Sequence, residues 1–146
     1  MTVSLETCGS WMNTGSHKYV AVVDDDASIG RSFSRLLSAA GFQPVTYPSA
    51  EAFLEDSKRP HFDCLILDIQ LDGMSGLELS QRLAAVKDIT PVVFITAHDD
   101  PAVRAEAVAS GCAGFFRKTD PGMLVLAAIS KAFTVAVTWG ASTIAQ

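Results

Sequence analysis

Short apolar runs and polar breaks alternate along this chain, and their periods predict strands and helices in turn. "YVAVV" at 19–23 is a β-branched run that stops abruptly on Asp24, Asp25 and Asp26. Ile29, Phe33, Leu36, Leu37 and Ala40 then recur at helical spacing, with Asp26 or Ser28 as cap and Gly41 as stop. "FQPVTY" at 42–47 is a weaker strand whose proline suits a sheet edge. Ser49 caps a short helix through Ala52, Phe53 and Leu54, closed by Lys58 to Pro60. A third strand, 62–67, carries Leu65, Ile66 and Leu67 in a continuous apolar run, the mark of a strand covered on both faces, and it meets water at Asp68.

A loop bearing Asp72, Gly73, Ser75 and Gly76 follows, and a helix runs from Gly76 to about Val86 with Leu79, Leu83 and Val86 facing inward. "PVVFIT" at 91–96 is a fourth strand ending on Thr96. The next helix, Pro101 to Ser110, turns Val103 and Ala107 inward with Val108 as a third candidate, and Gly111 ends it. "AGFFRK" at 113–118 is a fifth strand ending on Lys118. Asp120 as cap and Pro121 as first helical residue open the last helix. Five strands alternating with five helices predict an α/β fold: one doubly wound parallel sheet with helices on both faces.

Residues 1–17 lack a period and are rich in Ser, Thr and Gly; they are expected to be a flexible N-terminal extension with Trp11 exposed. The domain is expected over 18–138, with 139–146 as a C-terminal tail. The output is expected either from the domain's own surface or from a longer protein of which this chain is a part. The last helix, 123–139, is apolar on more than the stripe that packing on a sheet requires, so a partner-binding face is expected there.

Composition narrows the function. Of 146 residues 49% are hydrophobic and 18% charged, as in a folded domain, and a net charge of −5 without a basic stripe argues against direct nucleic-acid binding. Cys8, Cys64 and Cys112 are odd in number and lack metal-ligand spacing, which suits a reducing cytoplasm. The start lacks the features of a signal peptide, and 121–139 is too polar to span a membrane.

Polar groups capable of chemistry stand at four of the five strand ends: Asp24 with Asp25, then Asp68, Thr96 and Lys118. In a parallel sheet these ends share one edge and converge at the topological switch point. Three carboxylates close together need a cation, and hard oxygen ligands favour Mg²⁺. Lys118 and the Thr96 hydroxyl can meet phosphate oxygens. The set suits phosphoryl transfer onto Asp68. Singly, each has a plainer reading: Asp24–Asp26 as an acidic helix start, Thr96 as a β-branched strand residue, Lys118 as a solvated lysine.

In order along the chain, "VVDDD", "LILDIQLDGMSG", "VVFITA" and "FFRK" are similar to the motifs of the receiver domain of bacterial two-component response regulators, and the resemblance runs from about Tyr19 to Val135. "GMSGLEL" resembles the FixJ-type receivers. The resemblance implies a flavodoxin-like sheet of strand order 2-1-3-4-5, with Asp68 as phospho-acceptor and Asp24, Asp25, Asp68 and the Gln70 backbone carbonyl as Mg²⁺ ligands. It implies Thr96 and Lys118 as phosphoryl contacts and Phe115 as the switch aromatic. It also sets Gln70 and His98 beside the phosphoryl group, where His98 would tune hydrolysis. The implied protein is a phosphoacceptor that assists its own phosphorylation and hydrolysis rather than an enzyme. Its implied donor is a histidine kinase or phosphotransfer protein, and its implied readout is the face of fourth helix, fifth strand and fifth helix, toward a homodimer or a downstream protein.

Two positions depart from the family pattern. Asp72 stands where a proline usually follows the acceptor, and Thr119 follows Lys118 where a cis proline is usual. The second implies either a trans bond with Lys118 somewhat displaced or a strained cis one. Both departures sustain a rival reading, a pseudo-receiver that does not cycle phosphate. A flavodoxin-like cofactor binder would need a phosphate loop where three aspartates stand, and a haloacid-dehalogenase-type phosphatase would need an acid at Gln70.

Overall fold

The apolar runs form the centre of a five-stranded parallel sheet. The computed structural model describes residues 18–145, with side chains over 18–133. Its elements are β1 (Tyr19–Val23), α1 (Ala27–Ala39), β2 (Gln43–Tyr47), α2 (Ala50–Glu55), β3 (Cys64–Asp68), α3 (Gly76–Ala85), β4 (Val92–Thr96), α4 (Pro101–Ala109), β5 (Gly114–Arg117) and α5 (Gly122–Ala145). The strand order is β2-β1-β3-β4-β5, as expected, with Pro44 on edge strand β2.

Period-two alternation divides the core. Ala21, Val23, Leu65, Leu67 and Phe94 pack with α2, α3 and α4, whereas Val20, Val22, Cys64, Ile66, Val93 and Ile95 pack with α1 and α5. Every residue of β3 is buried, because helices cover both of its faces. Cys64 is fully buried there, and burial pushes its thiol up to about 12.

Side-chain caps set the helix starts. Asp26 accepts from the Ser28 amide, Ser49 from Ala52, Ser75 from Glu78 and Asp100 from Ala102, with Pro101 at the start of α4. The start of α5 differs from expectation. The Asp120 carboxylate accepts from the Arg117 amide at 2.9 Å, closing the turn after β5, and the helix begins beyond Pro121 at Gly122.

Other corrections concern burial and the chain's end. Val86 and Val108 are 73% and 59% exposed. Val86 lies past the last turn of α3, and Val108 sits one position beyond Ala107, off the stripe that faces the sheet. The segment 139–146, expected as a tail, is helical through Ala145: no proline interrupts the run, and its alanines favour helix. Val125 and Ile129, one turn apart, are the buried residues of α5 among those whose side chains are described, while Met123 and Leu124 are 75% and 49% exposed. No helix among the described residues is long and apolar enough to cross a membrane. Trp11, and with it the expected N-terminal extension, lies outside the described residues.

Candidate functional site

Register brings the strand ends level. Val23 pairs with Leu67, Asp68 with Ile95 and Thr96 with Arg117, so the residues after β1 and β5 arrive beside the ends of β3 and β4. The crevice between β1 and β3 is where the strand order reverses. Asp24, Asp68 and Thr96 are the three buried polar or charged residues among those described. Burial of carboxylates is costly unless charge or ligands offset it, so their gathering at one edge points to chemistry rather than to packing.

Asp24, Asp25 and Asp68 each present a carboxylate oxygen within 4.8 Å of the others, with Asp25 exposed at the mouth. Lys118 lies among them. Its Nζ is 2.8 Å from Asp68 Oδ2 and donates to Asp24 Oδ1 at 3.3 Å. The same nitrogen is 3.1 Å from Asp24 Oδ2, but the alignment is not that of a hydrogen bond, and this buried oxygen accepts none. The remaining oxygens are engaged: Asp24 Oδ1 also accepts from the Asp26 amide, and Asp68 Oδ1 from the Gln70 amide at 3.0 Å.

Charge and burial oppose each other here. Burial is the largest influence on Asp68 and pushes its carboxyl up; the Lys118 hydrogen bond pulls it back, Asp24 pushes it further, and the result is about 6. Burial pulls the Lys118 ammonium down, but its bonds to Asp68 and Asp24 outweigh that and leave it raised. One ammonium therefore faces three carboxylates. An orphaned buried oxygen and uncompensated negative charge, all from hard oxygen donors, fit a divalent cation of the Mg²⁺ kind.

The Lys118–Thr119 bond is trans, since no peptide bond among the described residues is cis. Lys118 is nonetheless not displaced from Asp68, because the backbone bond from its amide to Thr96 O at 2.8 Å holds β5 against β4 up to that residue. Asp72 is exposed. The Thr96 hydroxyl donates to the His98 carbonyl at 2.7 Å and accepts from its amide at 3.1 Å, so a backbone turn occupies it. His98 and Gln70 are exposed. Phe115 is half-buried against the α2–α4 core, and the Arg104 guanidinium lies 4.7 Å from its ring centroid.

Sequence reasoning passed over two participants. Glu51, in the first turn of α2, accepts from the Met74 amide at 2.8 Å, across 23 residues of chain. No local pattern pairs residues so far apart, and alone Glu51 reads as an acid favouring a helix start. Gly76 opens α3 directly on the acceptor strand: a Cβ there would stand 2.3 Å from the Asp68 carbonyl oxygen. Its place after "DGMS" marks a loop but not that close approach.

Known proteins share this chain's sequence and fold. The chain is 35% identical over 107 residues to the transcriptional regulatory protein FixJ of Bradyrhizobium diazoefficiens, covering 73% of this chain and 51% of that protein. A response regulator receiver protein from Burkholderia phymatum is 42% identical with a TM-score of 0.66, over 77% of this chain and 95% of that one. The FixJ-N crystal structure is 31% identical with a TM-score of 0.71, over 79% and 92%. The chain spans about half the length of the curated relatives it matches. Residues 20–129 match the family model of the response regulator receiver domain, and with the acidic crevice at the matching strand ends the chain belongs to that family of two-component signalling domains.

Proposed function

We propose that Asp68 accepts a phosphoryl group from the phosphohistidine of a histidine kinase or phosphotransfer protein. The observation that carries this reading is Lys118 Nζ at 2.8 Å from a buried Asp68 that shares its crevice with Asp24 and Asp25. Asp24, Asp25, Asp68 and the Gln70 carbonyl would hold Mg²⁺, which when bound supplies charge neutralisation at the phosphoryl oxygens. An Asp68 oxygen attacks phosphorus; the new O–P bond forms as the N–P bond breaks, and the electron pair stays on the donor imidazole. Lys118 turns its ammonium from the free carboxylate to the phosphoryl oxygens. Thr96 becomes a donor to one of them once it releases the His98 carbonyl. His98 and Gln70 stand at the solvent side, where they govern how readily water removes the group.

Release of Thr96 frees its turn to move, and Phe115 on the neighbouring strand favours one rotamer. The face of α4, β5 and α5 is then shifted between two states, which a second copy or a downstream protein reads. The protein works in the cytoplasm as a phosphoacceptor that assists its own turnover. No observation favours the pseudo-receiver: Asp72 points to solvent and Lys118 reaches Asp68 despite Thr119.

Incubation with Mg²⁺ and acetyl phosphate tests the reading by intact mass. One phosphoryl group should be gained, and Asp68→Asn should abolish the gain. An unchanged wild-type mass, or a gain that survives in Asp68→Asn, sinks it. For the face, sedimentation with and without beryllofluoride should show a larger species with the mimic; a monomer at every concentration would eliminate the second copy as its reader.

A further inference from the structure

The loop from Asp68 to α3 carries Gln70 and closes on the acceptor strand, and it is tied at three points. The Gln70 amide binds Asp68 Oδ1 and the Gly76 amide binds the Ile69 carbonyl, both within the segment itself. The third tie comes from another element: Glu51 of α2 accepts from the Met74 amide at 2.8 Å. The loop is shaped around that carboxylate. Gly73 has φ of +75°, a conformation that suits glycine, and a Cβ there would lie 2.6 Å from Glu51 Oε2. The Met74 side chain, next to the tie, is buried in the α2–α4 core. Donation from the Met74 amide is the leading reason the Glu51 carboxyl is held below its usual range.

We propose that Glu51 is a positioning residue of the phosphorylation site: by gripping the Met74 amide through the opening left at Gly73, it fixes the loop that presents the Gln70 carbonyl to the metal. The inference rests on the Mg²⁺ site proposed above. Glu51 touches neither the metal nor the phosphoryl group. It acts as groups behind metal ligands do, whose loss costs roughly 10–100-fold in affinity. What matters is an oxygen of the right reach; charge alone would act whatever the geometry, and Arg82 and Glu78 on α3 already pair with each other at 3.2 Å.

Mg²⁺ titration of the full chain by calorimetry, without phosphodonor, decides it when joined to amide NMR spectra of the loop. Glu51→Asp keeps the charge and loses the reach. It should weaken Mg²⁺ binding by about tenfold and move the Met74 and Gln70 amide signals. Glu51→Gln keeps the reach and loses the charge, and should stay within about threefold of wild type, a factor small beside the loss of a metal's outer support. Both variants should melt near the wild-type temperature, since the side chain lies at the surface of a helix start. If Glu51→Asp binds as wild type does, or Glu51→Gln falls as far as Glu51→Asp, the inference is overturned while the metal site stands. A wild type that binds no Mg²⁺ overturns the metal site and this inference with it.

Discussion

Asp68 is a carboxylate kept in a place that disfavours its charge. With the folded carboxyl at about 6 against an ordinary 3.8, the folded state holds its proton to higher pH than the unfolded one. The stabilisation from that proton is complete below pH 3.8 and is lost as pH rises through 6. At about 1.4 kcal/mol per unit the shift amounts to at most roughly 3 kcal/mol, and losing the Lys118 ion pair would cut into it. Asp68→Asn should therefore raise the urea midpoint of Mg²⁺-free protein at pH 7.5 and have little effect at pH 4. A variant destabilised at pH 7.5 would mean that the Lys118 bond outweighs burial. At this scale the sequence was informative about identity and less so about contact. Asp24, Asp25, Asp68 and Lys118 could be named because each ends an apolar run. Glu51 and the close packing at Gly76 could not, because both depend on distances that only the folded loop sets.

Elements were legible wherever a period repeats. β3 was marked by its apolar run, α1 and α2 by a capping residue ahead of spaced apolar positions, and α4 by its spaced apolar positions and the Gly111 stop. Reading failed where two uses of one residue compete. Asp120 has the composition of a cap, but its carboxylate is taken by Arg117, the residue that ends β5. Val86 and Val108 fit a helical stripe by type, but Val86 falls past the end of its helix and Val108 off the stripe by angle. The α4–β5 pair also holds a contact that no motif announces. Asp99 lies 3.4 Å from Arg104 and 3.8 Å from Arg117, and Arg104 covers the Phe115 ring. These exposed ion pairs contribute little individually, whereas a cation over an aromatic face is worth about 0.5–1 kcal/mol. Arg104→Ala should shift the Phe115 ring between its rotamers by two- to fivefold, the equilibrium equivalent of that energy. Fluorine NMR of labelled Phe115 reads the populations; identical spectra would remove Arg104 from any role in the switch.

Across the whole molecule, the parallel sheet and its two-sided core followed from alternation, because strands joined by helices lie parallel with both faces covered, whereas the strand order followed from the family resemblance. What alternation cannot supply is the packing that makes one strand inaccessible. Cys64 is such a place: its sulfur is fully enclosed and its thiol pushed up to about 12. A thiol must be both exposed and ionised to react, so alkylation of Cys64 requires the sheet to come apart. The residue thus serves as a built-in chemical clock for global opening. Its labelling by iodoacetamide, followed by peptide mass mapping, should be slow in native buffer and accelerate steeply with urea, while the half-buried Cys112 reacts sooner. Cys64 labelling at the pace of Cys112 in native buffer would mean that β3 opens without the rest of the sheet. Slower labelling with Mg²⁺ present would register cation binding from the opposite end of the same strand, with no signal from the crevice itself.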